Sequence, residues 1–212
     1  APGDSETQWS RLAARYLRKE FALTKEVKRA TVHIAGMGLY ELFINGQRIG
    51  EQVLAPAPTD YRKTILYNTY DVTPQLQKEN AIGVILGNGR FYTMRQNYKP
   101  YKIPTFGYPK LRLNLIIEYT DGSRQTIASD ISWKLTTEGP IRSNNEYDGE
   151  EYDARKELGD WNRTGYDDTN WIPAGRVSIP SGTLRAQMMP GMKVTESLKP
   201  VSIRKQGDKH IL

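Results

Sequence analysis

The sequence predicts an all-β protein: a jelly-roll β-sandwich of two antiparallel sheets with one or two short helical turns. Three observations carry this expectation. About ten short strand-like segments are separated by turn signals at regular spacing, the pattern of sandwiches and jelly rolls. The run Asn80–Tyr92, NAIGVILGNGRFY, is almost continuously apolar until Gly87-Asn88-Gly89, and so reads as a strand buried on both faces. Helix signals are scarce.

In chain order, Ser5–Leu17 carries a short helical signal around Trp9–Ala14, and residues 1–14 read as a lead segment. The sandwich follows over residues 15–190. Thr31–Ala35 and Leu39–Ile44 are strands, separated by Gly36-Met37-Gly38, and Asn45-Gly46 turns the second back through Gln47–Gly50. Thr73 reads as an N-cap with Pro74 at the first position of a single helical turn. The glycines at 87 and 89 permit positive φ or close ligand approach, and Arg90, Phe91 and Tyr92 follow directly. Thr93–Tyr108 is then an aromatic loop. Leu111, Leu113, Leu115, Ile117 and Tyr119 alternate with polar residues, which places the leucines on a core face. Asp121-Gly122 turns this strand into Gln125–Ala128, and Ser132–Thr136 continues with Trp133 as a core anchor. Trp161 and Trp171 are expected to be buried, pinning an irregular segment to the core. Residues 191–212 supply a closing strand, at Lys193–Ser197 or Val201–Arg204, and then a linker.

Composition excludes several functions. The 212 residues contain no cysteine, so disulfides and thiolate metal sites are impossible. The net charge of +6 comes from 30 basic and 24 acidic residues mixed along the chain, unlike the clustered stripe of a nucleic-acid binder. No apolar run approaches the roughly 20 residues needed to span a membrane, so no membrane insertion is expected. His33 lies in a strand far from His210, and Gly-Asn-Gly lacks the dinucleotide-binding pattern. The chain opens Ala-Pro-Gly-Asp without an initiator Met or signal-peptide pattern, and reads as a piece of something longer.

Chemistry concentrates in Asn144–Arg155, NNEYDGEEYDAR, with five carboxylates and two tyrosines. Asp148, Glu150, Glu151 and Asp153 suit calcium as hard oxygen ligands, suit a glycosidase carboxylate pair, or suit hydrogen bonds to sugar hydroxyls with Tyr147 and Tyr152 stacking on the ring. The plain alternative is a polar turn whose acids pair with Arg142 and Arg155. A catalytic pair is disfavoured, because nothing apolar surrounds either acid to keep it protonated.

Together these residues resemble the N-terminal β-sandwich module of bacterial α-L-rhamnosidases, glycoside hydrolase family 78. The resemblance runs through Ala14–Phe21, Gly38–Gly50, Leu54–Tyr61, Tyr67–Thr73, Ala81–Tyr92, Gly149–Arg155 and Trp161–Trp171. The LGNG-aromatic and GEEYDAR segments, in that order, are its most specific parts. Leu198–Ile203 is similar to the family's passage into a further β domain. The resemblance implies a galactose-binding-like sandwich and a parent that hydrolyses terminal α-L-rhamnosides with inversion, on a separate (α/α)6 domain. This chain alone is then not an enzyme and carries no catalytic residue. Some related modules bind rhamnose through calcium, and the corresponding face here includes Asn88, Arg90, Tyr92, Asp148 and Glu150. One departure stands out: Ala57-Pro58 replaces the Gly-Trp common in the family before Thr-Asp-Tyr, which removes a stacking surface.

The expected function is an accessory domain that holds rhamnose-containing glycans. Asn88, Arg90 and Glu150 would select hydroxyls, and Tyr92 or Tyr152 would cover the ring face. No cofactor is identified from the sequence, and calcium at Asp148 and Glu150 is the candidate metal site. The expected partners are the catalytic and other β domains of the same polypeptide, with the parent periplasmic or extracellular. The rival readings are a structural docking domain without sugar affinity, an accessory domain of another glycosidase, and an independent lectin.

Overall fold

The computed structural model describes residues 12–92, 106–178 and 180–211. Its strands are β1 (Arg15–Ala22), β2 (Val27–Met37), β3 (Leu39–Ile44), β4 (Gln47–Arg48), β5 (Thr64–Asp71), β6 (Glu79–Gly87), β7 (Lys110–Tyr119) and β8 (Arg124–Ala128). They continue as β9 (Lys134–Thr136), β10 (Ile141–Asn145), β11 (Gly149–Tyr152), β12 (Ile172–Pro173), β13 (Thr183–Ala186), β14 (Arg204–Gln206) and β15 (Lys209–Ile211). Two sheets face each other, in the orders β12-β9-β1-β6-β3-β4 and β13-β5-β2-β7-β8. All pairings are antiparallel except β13 on β5, which is parallel, so the second sheet departs from the expected antiparallel pattern at one edge.

The alternating strands build the core as expected. Val32 and Ile34 of β2, Leu42 and Ile44 of β3, Ile82 and Val84 of β6, and Leu113, Leu115 and Ile117 of β7 interlock between the sheets with Trp133. Each fully buried aliphatic side chain here contributes about 1.5–3 kcal/mol over its exposed state. Trp133 satisfies its indole N–H on the carbonyl of Ala128 at 2.8 Å.

Both predicted hairpin turns form. Asn45 and Gly46 take φ of 51° and 81°, the handedness that matches strand twist. The Asn45 amide also reaches out of the turn, donating to Gln75 O and Asn80 Oδ1 at 2.9 Å and accepting from Ala81 N at 2.8 Å. At the second turn Asp121 accepts from Ser123 N at 2.9 Å.

Strand β6 lies between β1 and β3 and is buried on both faces, as its apolar run implies. The outer face is sealed by a second cluster, in which Tyr16 and Ala14 pack with Trp161 and Trp171 against Phe43, Ile85, Ile141, Leu158 and Tyr166. Close fit dictates glycine here, since a Cβ at Gly83 would lie 2.8 Å from the Trp161 ring. The expected burial of both tryptophans is therefore met. The clamp is electrostatic as well. Arg18, buried on β1, donates to the carbonyls of Trp161 and Arg163, each at 2.9 Å. It also ion-pairs with Asp168 and Glu20, and lies over the Tyr166 ring.

Three local expectations are corrected. Residues 12–14 carry no helix and Arg15 already belongs to β1, while the rest of the Trp9–Ala14 helical signal lies outside the described residues. Thr73 is the first residue of a 3-10 turn, Thr73–Gln75, and not its cap. Val72 holds the cap position without a side-chain cap bond, and Asp71, two residues before Thr73, accepts from Thr73 N at 3.0 Å. The closing strand is not at Lys193–Ser197 or Val201–Arg204. Lys193 makes a single bridge to Gln52, and the last strands form a separate two-stranded hairpin, β14–β15.

Candidate functional site

The end of β6 organises the site. Asn88, which the sequence suggests as a polar ligand, is instead a buried hub with 1% of its surface exposed. Its backbone N donates to Asn144 Oδ1 at 2.6 Å, and its amide donates to Leu12 O at 2.7 Å and Asn144 O at 2.8 Å. Its Oδ1 accepts from Arg15 at 3.0 Å. These bonds tie the β10–β11 hairpin to the Gly87–Arg90 corner, so the glycine-rich strand end and the acidic loop do meet. Gly87 must be glycine for this, since a Cβ there would lie 2.8 Å from Asn144 Oδ1.

Beyond that hub, Arg90 emerges onto the rim and pairs with Glu146 at 3.7 Å. It lines a pocket of about 340 Å³ with Pro58, Thr59, Asp60, Arg62 and Phe106. Three interlocked rings support this pocket: Tyr61 meets Phe91 and Phe106 edge-on at 5.0 and 5.1 Å, and Phe91 stacks on Phe106 at 5.9 Å. Arg62 crosses the Phe106 ring at 5.9 Å and bonds Asp60 at 3.0 Å. That bond holds the Asp60 carboxyl below its ordinary range, so it is an acceptor at neutral pH. Burial pushes the Tyr61 phenol up to about 12, partly offset by Arg90. The pocket thus offers guanidinium donors, a carboxylate acceptor, the Thr59 side chain and an aromatic surface.

The other predicted residues fall elsewhere. Tyr92 is buried and stacks on Tyr108 at 5.6 Å, so its ring offers no outer face for sugar. Asp148 accepts from the Asn145 amide at 2.9 Å within its own turn. Glu150 pairs in register with Asn144 on β11, and burial, then repulsion from Glu41, raises its carboxyl above the usual range. Tyr152 is exposed and donates its hydroxyl to Glu157. Of the pairings expected for the acidic loop, Arg155 meets Asp153 through two 2.8 Å bonds and holds that acid down to about 2. Arg142 does not join it, and binds the carbonyls of Thr137 and Gly139 instead. Of the expected aromatic loop Thr93–Tyr108, residues 93–105, with Tyr98 and Tyr101, lie outside the described residues. His33 meets Thr69 at 2.9 Å and the edge of Tyr67.

Calcium takes 6–8 oxygens, and among the described residues no group of three or more acid or histidine side chains is placed to hold a metal ion. Asp148 meanwhile spends an oxygen on its own turn.

Sequence reasoning passed over Asp60, Arg62 and Phe106. Asp60 lies in the quoted Thr-Asp-Tyr run and Arg62 follows it directly, but their nearness to Arg90 and Phe106 is set by the fold.

The family profile for the alpha-L-rhamnosidase N-terminal domain matches residues 25–196. The chain belongs to this family. An α-L-rhamnosidase of Formosa agariphila is 42% identical over 201 residues, which span 92% of this chain and 21% of the relative. The solved α-L-rhamnosidase of Dictyoglumus thermophilum is 44% identical, with a TM-score of 0.81 over 91% of this chain and 21% of that one. That of Aspergillus terreus is 36% identical, with a TM-score of 0.85 over 93% and 23%. This rhamnosidase domain therefore spans about a fifth of the length of the relatives it matches. The matched span takes in β2 to β13 and all the described pocket residues.

Proposed function

We propose that this domain is a non-catalytic, sugar-holding module of an α-L-rhamnosidase, and that inverting hydrolysis of terminal α-L-rhamnosides takes place on the (α/α)6 domain the resemblance implies. The observation that carries this reading is the Arg90 pocket. Its volume of about 340 Å³ lies at the small end of ligand sites, a size suited to one terminal sugar. Arg90 and Arg62 supply planar donors, Asp60 accepts from hydroxyls, and Phe106 lines the pocket with the part of its ring that Phe91 and Arg62 leave uncovered. Glu146 holds Arg90 in place from the side.

A monosaccharide offers little area to offset its lost freedom, so a dissociation constant on the order of millimolar is expected. The test is a calorimetric titration of the chain with L-rhamnose in calcium-containing buffer, repeated with Arg90→Ala. Saturable heat that disappears in the variant supports the pocket. Unchanged affinity in Arg90→Ala removes the site, and silence in the wild type leaves the scaffold reading.

A further inference from the structure

A second and larger cleft, of about 1040 Å³, shares no described lining residue with the Arg90 pocket. Both sheets line it, with Leu17 of β1 and Leu86 of β6 on one side and Met37 of β2, Ile65 of β5 and Leu111 of β7 on the other. Leu17, Leu86, Met37 and Ile65 are buried, so the cleft reaches down to core side chains. Packed interiors rarely leave voids larger than a water molecule. An apolar cleft of this volume lies at the large end of ligand sites.

Its charge is one-sided. Of the described residues that line it, four are cations, Arg15, Lys110, Arg112 and Arg176, and one is an acid, Asp130. Two of the cations are committed. Arg15 donates to Ala13 O and Asn88 Oδ1, each at 3.0 Å. Lys110 Nζ donates to Ser178 O and Oγ at 3.0 and 2.9 Å, fastening the connection between β12 and β13 beside the cleft. Asp130 accepts from Ser132 N at 2.8 Å and from the Ser132 hydroxyl, and feels the charge of Arg176. Arg112, by contrast, makes no hydrogen bond or ion pair with another described residue. Its place follows from register. Arg112 lies opposite Ala35 and Lys110 opposite Met37 on the β2–β7 ladder, and opposed residues share a sheet face. A guanidinium therefore rises directly beside the apolar floor that Ala35, Met37 and Ile65 form.

We infer that this cleft binds an elongated amphipathic anion, an apolar chain seated between the sheets with its carboxylate head on Arg112 and Arg176. The apolar walls select the chain, and the excess of guanidinium over carboxylate selects the sign of the head. A guanidinium fork matches a carboxylate through two parallel hydrogen bonds, which neither a neutral nor a cationic head can accept. Arg112 and Arg176 are both exposed, so their donors are open to a ligand. This site does not depend on the sugar reading, because neither arginine lines the Arg90 pocket.

The experiment is calorimetric titration of the 212-residue chain with decanoate and with decylammonium, both below their micelle-forming concentrations. Decanoate should bind saturably, and decylammonium at least tenfold more weakly. Arg112→Glu/Arg176→Glu should weaken decanoate at least tenfold and narrow or reverse that preference, with an unchanged thermal midpoint. Ala128→Phe, at a partly exposed position on the cleft wall, leaves the charges alone and should weaken both chains by taking up their space. No saturable heat with decanoate, equal affinity for decylammonium, or wild-type affinity in the double variant would each overturn the inference. Sedimentation supplies the other control. A concentration-dependent dimer that Ala128→Phe dissolves would make the occupant a second copy, and would equally overturn it. L-Rhamnose titration of the double variant should match wild type, whereas joint loss of both ligands would reduce the effect to a damaged fold.

Discussion

Replacing Arg18 with alanine tests whether the irregular segment from Leu158 to Trp171 is held by one buried guanidinium. Arg18 meets the carbonyls of Trp161 and Arg163, the carboxylates of Asp168 and Glu20, and the Tyr166 ring. Hydrogen bonds from a charged donor contribute about 1.5–3 kcal/mol each. Two carbonyls would lose such a donor, and Asp168, three-quarters buried, would lose its counter-ion. Glu20 is 41% exposed, so solvent screening reduces its share to well under 1 kcal/mol. Taken independently the three losses sum to about 4.5–9 kcal/mol, but they share one guanidinium and do not add, so the roughly 3–5 kcal/mol cost of breaking a buried ion pair, about 4 kcal/mol, is the expected total. At about 2–4 °C per kcal/mol for a domain of this size, the midpoint should fall by roughly 8–16 °C. Thermal melts followed by far-ultraviolet dichroism and tryptophan emission measure this, the emission reporting on Trp161 and Trp171. Arg18→Lys keeps the charge but loses the planar fork, and should fall between alanine and wild type. A midpoint within about 3 °C of wild type, with unshifted emission, would refute the clamp.

Three further outcomes follow from the site and its supports. Arg62→Ala should weaken L-rhamnose binding at least roughly tenfold, about 1.4 kcal/mol, without lowering the melting midpoint, whereas Phe106→Ala should lower the midpoint as well, because its ring packs on Tyr61 and Phe91; calorimetry and melts on the same samples check this. Gly38→Ala should both destabilise the fold by about 1–3 kcal/mol and weaken sugar binding, because Gly38 sits at φ 120° and a Cβ there would overlap the carbonyl oxygen of Gly87, at the base of the Arg90 corner. Stability should also fall at high pH. Burial pushes the phenols of Tyr16 and Tyr61 up to about 12, above an unfolded value near 10. Their contribution, at most about 3 kcal/mol each, is therefore complete below pH 10 and lost as pH rises to 12. Melts from pH 8 to 12 should show this loss, and Tyr61→Phe should diminish it; a flat profile would contradict the burial argument.

The parts of the fold that local chemistry dictates were legible in the sequence. The Asn45-Gly46 and Asp121-Gly122 turns, the alternating leucines of β7 and the doubly buried β6 each follow from a few adjacent residues. What escaped depends on contacts between distant segments. Asn88 sits between two glycines and looks like an exposed ligand, but Leu12 and Arg15 from the start of β1 and Asn144 from β10 close around it. The pocket joins Asp60 and Arg62 to Arg90 and Phe106, whose proximity is set by sheet packing and not by spacing. Thr73 looks like a cap because the residue type fits, yet Asp71 bonds the Thr73 N–H, and the Thr73 hydroxyl is taken up by Ala30 N at 2.8 Å. The parallel addition of β13 to β5 carries no local mark at all.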